Sequence, residues 1–316
     1  MRGLQADGGA LHWREQPVVE LTTGQVRLAI KAAGLNRADL LQKAGMYPPP
    51  PGVTPVLGLE CAGEVIEVCG SSRWQKGDRV CALLAGGGMA EEVVVDGRHL
   101  LPVPDGMSWA EAAAIPEVFS TAWLNVFELG AAKPGEKILI HAGASGVGTA
   151  AVQLCKAFDN PCWVTLGSEE KLQACKELGA SGGALRQNGI ASLQSEGPFQ
   201  VALDPVGANY AADHLDLLGL DARWVLIGLM GGREAKLDLA KMLMKRITLV
   251  GSTLRTRDAD FKADLLARME EKLWPLFASG KLKPMVARTF DFAEVEDAFA
   301  ELAADQVVGK VILTRE

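Results

Sequence analysis

No Cys-x-x-Cys pair and no close Cys/His cluster occurs among the six cysteines, which stand at 61, 69, 81, 155, 162 and 175. That spacing supplies neither a tetrahedral zinc set nor a redox dithiol. Most of the cysteines fall in apolar strand or helix patterns, so the expectation is buried thiols in a reducing cytoplasm. No run of five basic residues occurs and the net charge is −7, which argues against nucleic acid or an anionic membrane as a partner. The N-terminal Met1-Arg2-Gly3-Leu4-Gln5-Ala6-Asp7 has no apolar signal core. The 18 residues Ile138–Cys155 carry no charge, long enough to suggest a membrane span. Their glycines, His141, Ser145, Thr149 and Gln153 fit a strand, a turn and a helix instead. Repeats and low-complexity tracts are absent too, apart from Pro48–Pro51, a stiff extended loop.

What is there describes an ordinary globular protein, 48% hydrophobic and 22% charged. Its 316 residues exceed what one core usually serves, so two domains are expected. The first hundred residues alternate short apolar runs with turns: Val26–Ala33, Glu60–Val68 and Val80–Leu84 read as strands. Helical patterns follow at Trp109–Ile115, with Ser108 as its cap, and at Glu117–Leu129. From Lys137 the pattern becomes strand, helix, strand, helix. Strands are expected at Ile138–Ala142, Trp163–Leu166, Val201–Asp204, Trp224–Leu229 and Thr248–Gly251, with helices near 146–158, 169–178, 208–218 and 236–244. Such alternation marks an α/β doubly wound parallel sheet. A long amphipathic helix, Phe261–Ala278, then precedes a strand near Val286–Phe290, a helix at Ala293–Ala304 and a strand at Gly309–Thr314. The domains expected are 1–115 completed by 279–316, β-rich, and 116–278, α/β.

The most informative stretch is Lys137-Ile-Leu-Ile-His141-Ala-Gly143-Ala-Ser145-Gly146-Val147-Gly148. A buried-strand run turns through three glycines into an amphipathic helix. Glycines let the backbone approach a pyrophosphate, and a helix N-terminus offers it unpaired N–H groups. Ser145 stands where the usual fingerprint has its middle glycine, and a plain tight turn is the alternative reading. The next apolar run, Cys162–Leu166, ends in Gly167-Ser168, at the point where NAD sites place an acid on the ribose hydroxyls. A carboxylate would repel a 2′-phosphate, whereas the Ser168 hydroxyl and the Lys171 ammonium would bind it. Each such charge-assisted bond is worth roughly 1.5–3 kcal/mol, so NADP(H) is the cofactor expected. Ser168 also reads as the N-cap of the helix Glu169–Leu178 and Lys171 as a solvated charge. Capping and phosphate binding are compatible.

Several segments carry a resemblance to a known family. The glycine turn and the closing Val308-Gly-Lys310-Val resemble the medium-chain dehydrogenase/reductase superfamily. Leu35-Asn36-Arg37-Ala-Asp39, Tyr47-Pro-Pro-Pro, Ala112-Ala-Ala-Ile-Pro-Glu117 and Trp224-Val-Leu-Ile-Gly228-Leu229-Met230-Gly-Gly resemble its zinc-independent NADPH:quinone oxidoreductases, relatives of zeta-crystallin. The likeness runs over essentially the whole chain. It implies a Rossmann-type NADP-binding domain beside a β-rich GroES-like domain, and hydride transfer from NADPH to a quinone or activated alkene without metal. Zinc-dependent relatives carry an early Cys, a His before the Glu of Gly-His-Glu, and a four-cysteine lobe. Here Asn36 and Leu59 stand at the first two positions and the lobe is missing.

By the same resemblance Asn36 and Thr121 would face the nicotinamide-ribose end, and Ser145, Gly146 and Val147 the pyrophosphate. Gly167, Ser168 and Lys171 would hold the adenosine phosphate. Gly228, Leu229, Met230, Thr253, Leu254 and Lys310 would line the nicotinamide side. Many relatives place a tyrosine after the next strand; this chain has Arg186, either a bidentate phosphate ligand or a surface charge.

Hydride transfer asks the protein to position the acceptor and stabilise a developing oxyanion. Tyr47, one of 2 tyrosines, would hydrogen-bond cofactor or acceptor and relay a proton, or serve only as a loop anchor. Asn36 would donate an amide hydrogen bond or position its loop. Asp39 and Glu60 read as structural acids. The expected activity is NADPH-dependent quinone reduction; the alternatives are reduction of α,β-unsaturated carbonyls or enoyl thioesters, and a non-catalytic NADPH-binding module. Ile247–Gly251, short and apolar, reads as an edge strand that pairs two subunits of a homodimer.

Overall fold

The change of period at Lys137 becomes a change of architecture in the computed structural model, which describes residues 1–315. The chain divides into two compact units: Met1–Ser120 together with the residues from Leu254 onward, and Thr121–Thr253.

The first unit is built on a seven-stranded sheet in the order Val286–Asp291, Lys310–Thr314, Gln25–Gly34, Glu60–Val68, Arg79–Leu83, Leu100–Pro102, with Glu92–Asp96 also paired to Gln25–Gly34. The two C-terminal strands, Val286–Asp291 and Lys310–Thr314, lie in this sheet. Leu28, Ile30, Val65, Val80, Leu100, Phe299 and Val311 pack in its core. A separate hairpin, Arg2–Asp7 with Ala10–Glu15, turns on Gly8 and Gly9, both with positive φ. It escaped the sequence pattern because its second strand buries nothing fully.

The unit boundaries differ from those expected at 115/116 and 278/279. The helix Ala259–Ala278 belongs to the first unit, not to the α/β one. Side chains decide this: Trp274 Nε1 donates to Pro102 O at 2.9 Å, Arg73 grips Glu270, and Phe277 meets Phe119 edge-on at 5.0 Å.

The second unit carries a six-stranded parallel sheet. Its order is Gly182–Leu185, Cys162–Leu166, Ile138–His141, Phe199–Asp204, Leu218–Leu226, Thr248–Gly251. The strand order reverses between Ile138–His141 and Phe199–Asp204, where open α/β sheets bind ligands. Both central strands are buried along their whole length or nearly so, matching their unbroken apolar runs. Three local differences matter. The strand Gly182–Leu185 had too little apolar signal to be expected. The strand expected at Trp224–Leu229 runs over Leu218–Leu226. Residues 227–231 leave the sheet because their N–H groups bond the 204–206 carbonyls: Ile227 to Asp204 at 2.8 Å and Gly231 to Val206 at 2.7 Å. The helix expected over Glu117–Leu129 is α-helical only over Pro116–Trp123 and then loosens into a π-helix, Leu124–Leu129.

Candidate active site

In the second unit the glycine turn is sterically fixed. A Cβ on Gly143 would stand 2.5 Å from Val164 Cβ, and one on Gly148 would run into the Ala142 carbonyl oxygen. Ser145 caps the helix Gly146–Ala157, its Oγ accepting from Gly148 N–H at 3.1 Å. That leaves the N–H groups of Gly146 and Val147 without an acceptor among the described residues. Two convergent N–H groups at a helix N-terminus fit a pyrophosphate.

At the end of the next strand, Ser168 caps the helix Glu169–Leu178 by accepting from Lys171 N–H at 3.3 Å. The backbone N–H of Glu170 itself and, next, the Ser168 hydroxyl hold the Glu170 carboxyl below its ordinary range. Lys171 is buried, with 7% of its surface exposed, and its charge acts on Cys175 one turn along the helix. Arg186 is exposed, and its Nη2 lies 3.4 Å from where a Cβ on Gly167 would be. The guanidinium therefore covers Gly167, in reach of whatever meets that strand end. Beside it opens a cavity of about 360 Å³, lined by Ala142, Thr165, Arg186, Asn209, Tyr210 and Met230 among others. Asn209 and Tyr210 had no sequence signal. Gly228, Leu229 and Met230 sit on the loop tied to residues 204–206, and Leu229 and Met230 are exposed. Thr121 is half-buried, its carbonyl taken by Asn125 Nδ2 at 2.7 Å, and Thr253 is exposed.

Beneath this surface lies a polar core. His141 Nε2 and His214 Nε2 are 2.5 Å apart, so one ring donates and the other accepts. Burial pushes His214 down to about 3 and holds His141 well below its ordinary range. Thr165 Oγ1 bonds His141 Nδ1 at 2.9 Å. Asp204 accepts from Val206 N–H at 2.7 Å, Gly207 N–H at 3.0 Å and Trp224 Nε1 at 2.9 Å.

In the first unit, the other expected residues converge. Lys310 Nζ donates to the carbonyl of Leu35, to Asn36 Oδ1 at 2.7 Å and to Glu60 Oε1 at 2.7 Å. Asn36 Nδ2 donates to Glu60 at 3.0 Å. Asp39 accepts from the Asn36 and Gly58 N–H groups at 2.8 and 3.1 Å, and burial pushes it up to about 6. Both ends of the Asn36 amide are thus engaged by neighbouring side chains. Leu254 is buried.

Tyr47 is half-buried and its hydroxyl makes no hydrogen bond among the described residues; burial raises its pKa. Arg255, which sequence reasoning missed, pins it. Its guanidinium lies 5.1 Å from the Tyr47 ring, with Nε on Ala85 O at 2.7 Å and Nη2 on Gln42 Oε1 at 2.8 Å. Lys262 in turn donates to Arg255 O at 2.8 Å. Lys262 had a signal: it lies on the apolar stripe of its helix with Leu265, Leu266, Met269 and Leu273.

Two known domain families match successive parts of the chain. The alcohol dehydrogenase GroES-like domain family matches residues 22–105, and the zinc-binding dehydrogenase family matches residues 146–271. Among the described residues no group of three or more His, Cys, Asp and Glu side chains is placed to hold a metal ion. The chain is 32% identical over 299 residues to polyketide synthase GfsB of Streptomyces halstedii, covering 93% of this chain but 5% of that protein. It is 31% identical to the human synaptic vesicle membrane protein VAT-1 homolog, covering 92% of this chain and 79% of the relative. The chain thus spans only a small part of the synthase and most of the VAT-1 homolog. A quinone oxidoreductase from Thermus thermophilus, solved also in complex with NADPH, superposes with a TM-score of 0.85 at 31% identity, over 100% of both chains. On that end-to-end likeness, the chain belongs to the medium-chain dehydrogenase/reductase superfamily of oxidoreductases.

Proposed function

We propose that the protein is an NADPH-dependent quinone reductase of the cytoplasm that works without zinc, the second unit holding the cofactor and the first the acceptor. The observation that carries the cofactor choice is the Arg186 guanidinium over Gly167, at a strand end that bears no acid. A planar fork suits a 2′-phosphate, and Ser168 and Lys171 stand on the same turn. Gly143, Ser145, Gly146 and Val147 would hold the pyrophosphate. When bound, NADPH supplies the hydride. Tyr47 supplies a hydroxyl with no hydrogen-bond partner among the described residues, fixed by Arg255, to bond the oxyanion that develops on the acceptor. Lys310 and Glu60 hold Asn36, and through it the loop that follows. Asn36 and Leu59 occupy the positions where zinc-dependent relatives place ligands, which supports a reaction that needs no metal.

The test is steady-state oxidation of NADPH by a panel of ortho- and para-quinones, with enones in parallel. Turnover with quinones supports the proposal; none with any quinone rejects it. Reduction of enones alone favours the second reading, an enone or enoyl-thioester reductase, for which the match to part of a polyketide synthase is the support. Tight NADPH binding with no turnover leaves a cofactor-binding module.

A homodimer is also proposed, paired through the strand Thr248–Gly251, which among the described residues has a neighbouring strand on one side only.

A further inference from the structure

The sheet end around Lys310 gathers three carboxyl groups, Asp39, Glu60 and Glu117, and among the described residues hydrogen-bond donors serve only two of them. Asp39 takes two backbone N–H groups. Glu60 takes Lys310, the Asn36 amide and the backbone N–H of Glu117, the last at 2.9 Å. An ammonium has three donors, and Lys310 spends all of them on Leu35, Asn36 and Glu60. The Glu117 carboxyl, on the first turn of the helix Pro116–Trp123, receives no hydrogen bond or ion pair among the described residues. Its residue stays partly exposed while its neighbours are closed in.

We propose that Glu117 is the general acid that protonates the reduced acceptor, an assignment that rests on the reductase reading above. The charged and titratable groups around it come from every element packed there: Glu60, Lys310, Asp39, Lys262, Tyr47 and Arg255. Burial and the Glu60 charge outweigh Lys310 and Lys262 and push Glu117 up to about 8. At neutral pH it therefore carries a proton for which no acceptor stands among the described residues. A two-electron reduction adds a hydride, supplied by NADPH, and one proton to the acceptor. The O–H bond of the Glu117 carboxyl breaks as an O–H bond forms on the quinone oxyanion, or on the enolate of an enone. The carboxylate left behind faces Glu60 and regains its proton from water.

Glu117→Gln keeps the shape of the protonated acid and removes its proton. With NADPH and a quinone at pH 7, kcat is expected to fall about 100-fold with KM nearly unchanged. The wild-type loss of rate near pH 8 disappears in Glu117→Gln, and Glu117→Asp recovers part of the rate. A second readout needs no turnover: ¹³C-carboxyl NMR of the cofactor-free protein should show one glutamate titrating near pH 8, absent in Glu117→Gln. Wild-type turnover with an unaltered rate and pH profile in Glu117→Gln overturns the acid while leaving the reductase reading intact. So does the absence of any carboxyl titrating above about pH 6.5. A wild-type protein that reduces neither quinone nor enone removes the reductase reading, and this assignment with it.

Discussion

Arg186 is exposed and already lies against a glycine, so a phosphate placed there meets a planar donor with little desolvation to offset. Losing one charge-assisted bond of roughly 1.5–3 kcal/mol costs about 10- to 100-fold in affinity. Arg186→Ala should therefore weaken NADPH by that factor and NADH hardly at all, as read by fluorescence titration of both cofactors. Equal losses would refute the phosphate assignment. Tyr47→Phe removes only the hydroxyl, and Arg255 still holds the ring. Turnover should drop about five- to tenfold with folding unchanged; an unaltered kcat would leave Tyr47 as a loop anchor. At this scale the sequence named Asn36, Tyr47 and Lys310 through motif resemblance. It missed Arg255 and gave Glu117 no role, because their meaning lies in partners from Gln42 to Lys310, far apart in the chain.

Among the elements, the two strands Ile138–His141 and Cys162–Leu166 carry the polar core that supports the glycine turn, through His141 and Thr165. Both His141 and His214 titrate below their ordinary value in the folded state. The unfolded chain then binds protons more readily, so their contribution to stability is present above about pH 6.5 and is lost as pH falls through that range toward the folded values. Melting temperature should decline between pH 7 and pH 5, and His214→Leu should flatten that decline in calorimetry. A slope unchanged in the variant would remove the pair as its cause. Elements with long, regular patterns were legible: the central strands, the capped helices at Ser108, Ser145 and Ser168, and the helix Ala259–Ala278. The strand Gly182–Leu185 and the hairpin at the N-terminus were not, since neither supplies enough apolar alternation. Residues 227–229 were read as strand because the hydrophobic run continues past the last paired residue, Leu226.

On the scale of the whole molecule, three strongly exposed apolar side chains stand on one short helix that leads into the edge strand of the parallel sheet. Leu239, Leu243 and Met244 are 72%, 76% and 74% exposed on the helix Leu239–Lys245, and Leu249 lies on the edge strand that follows. Such a surface beside an unpaired strand edge is expected to be covered by a second copy. Sedimentation should show a dimer at micromolar concentration, and Leu243→Glu should shift it to monomer. A wild-type monomer would contradict the pairing.

The sequence alone determined the order of architectures, because apolar period and glycine position are local properties that survive any packing. It also determined that a glycine turn follows Ile138–His141 and opens a helix. Tertiary structure decided which unit owns the helix Ala259–Ala278, by side-chain contacts to Pro102 and Arg73. It decided as well which cation covers Gly167, bringing Arg186 there and burying Lys171. Donors are finite, and only the folded chain distributes them: Lys310 spends its three within one cluster and leaves Glu117 with none.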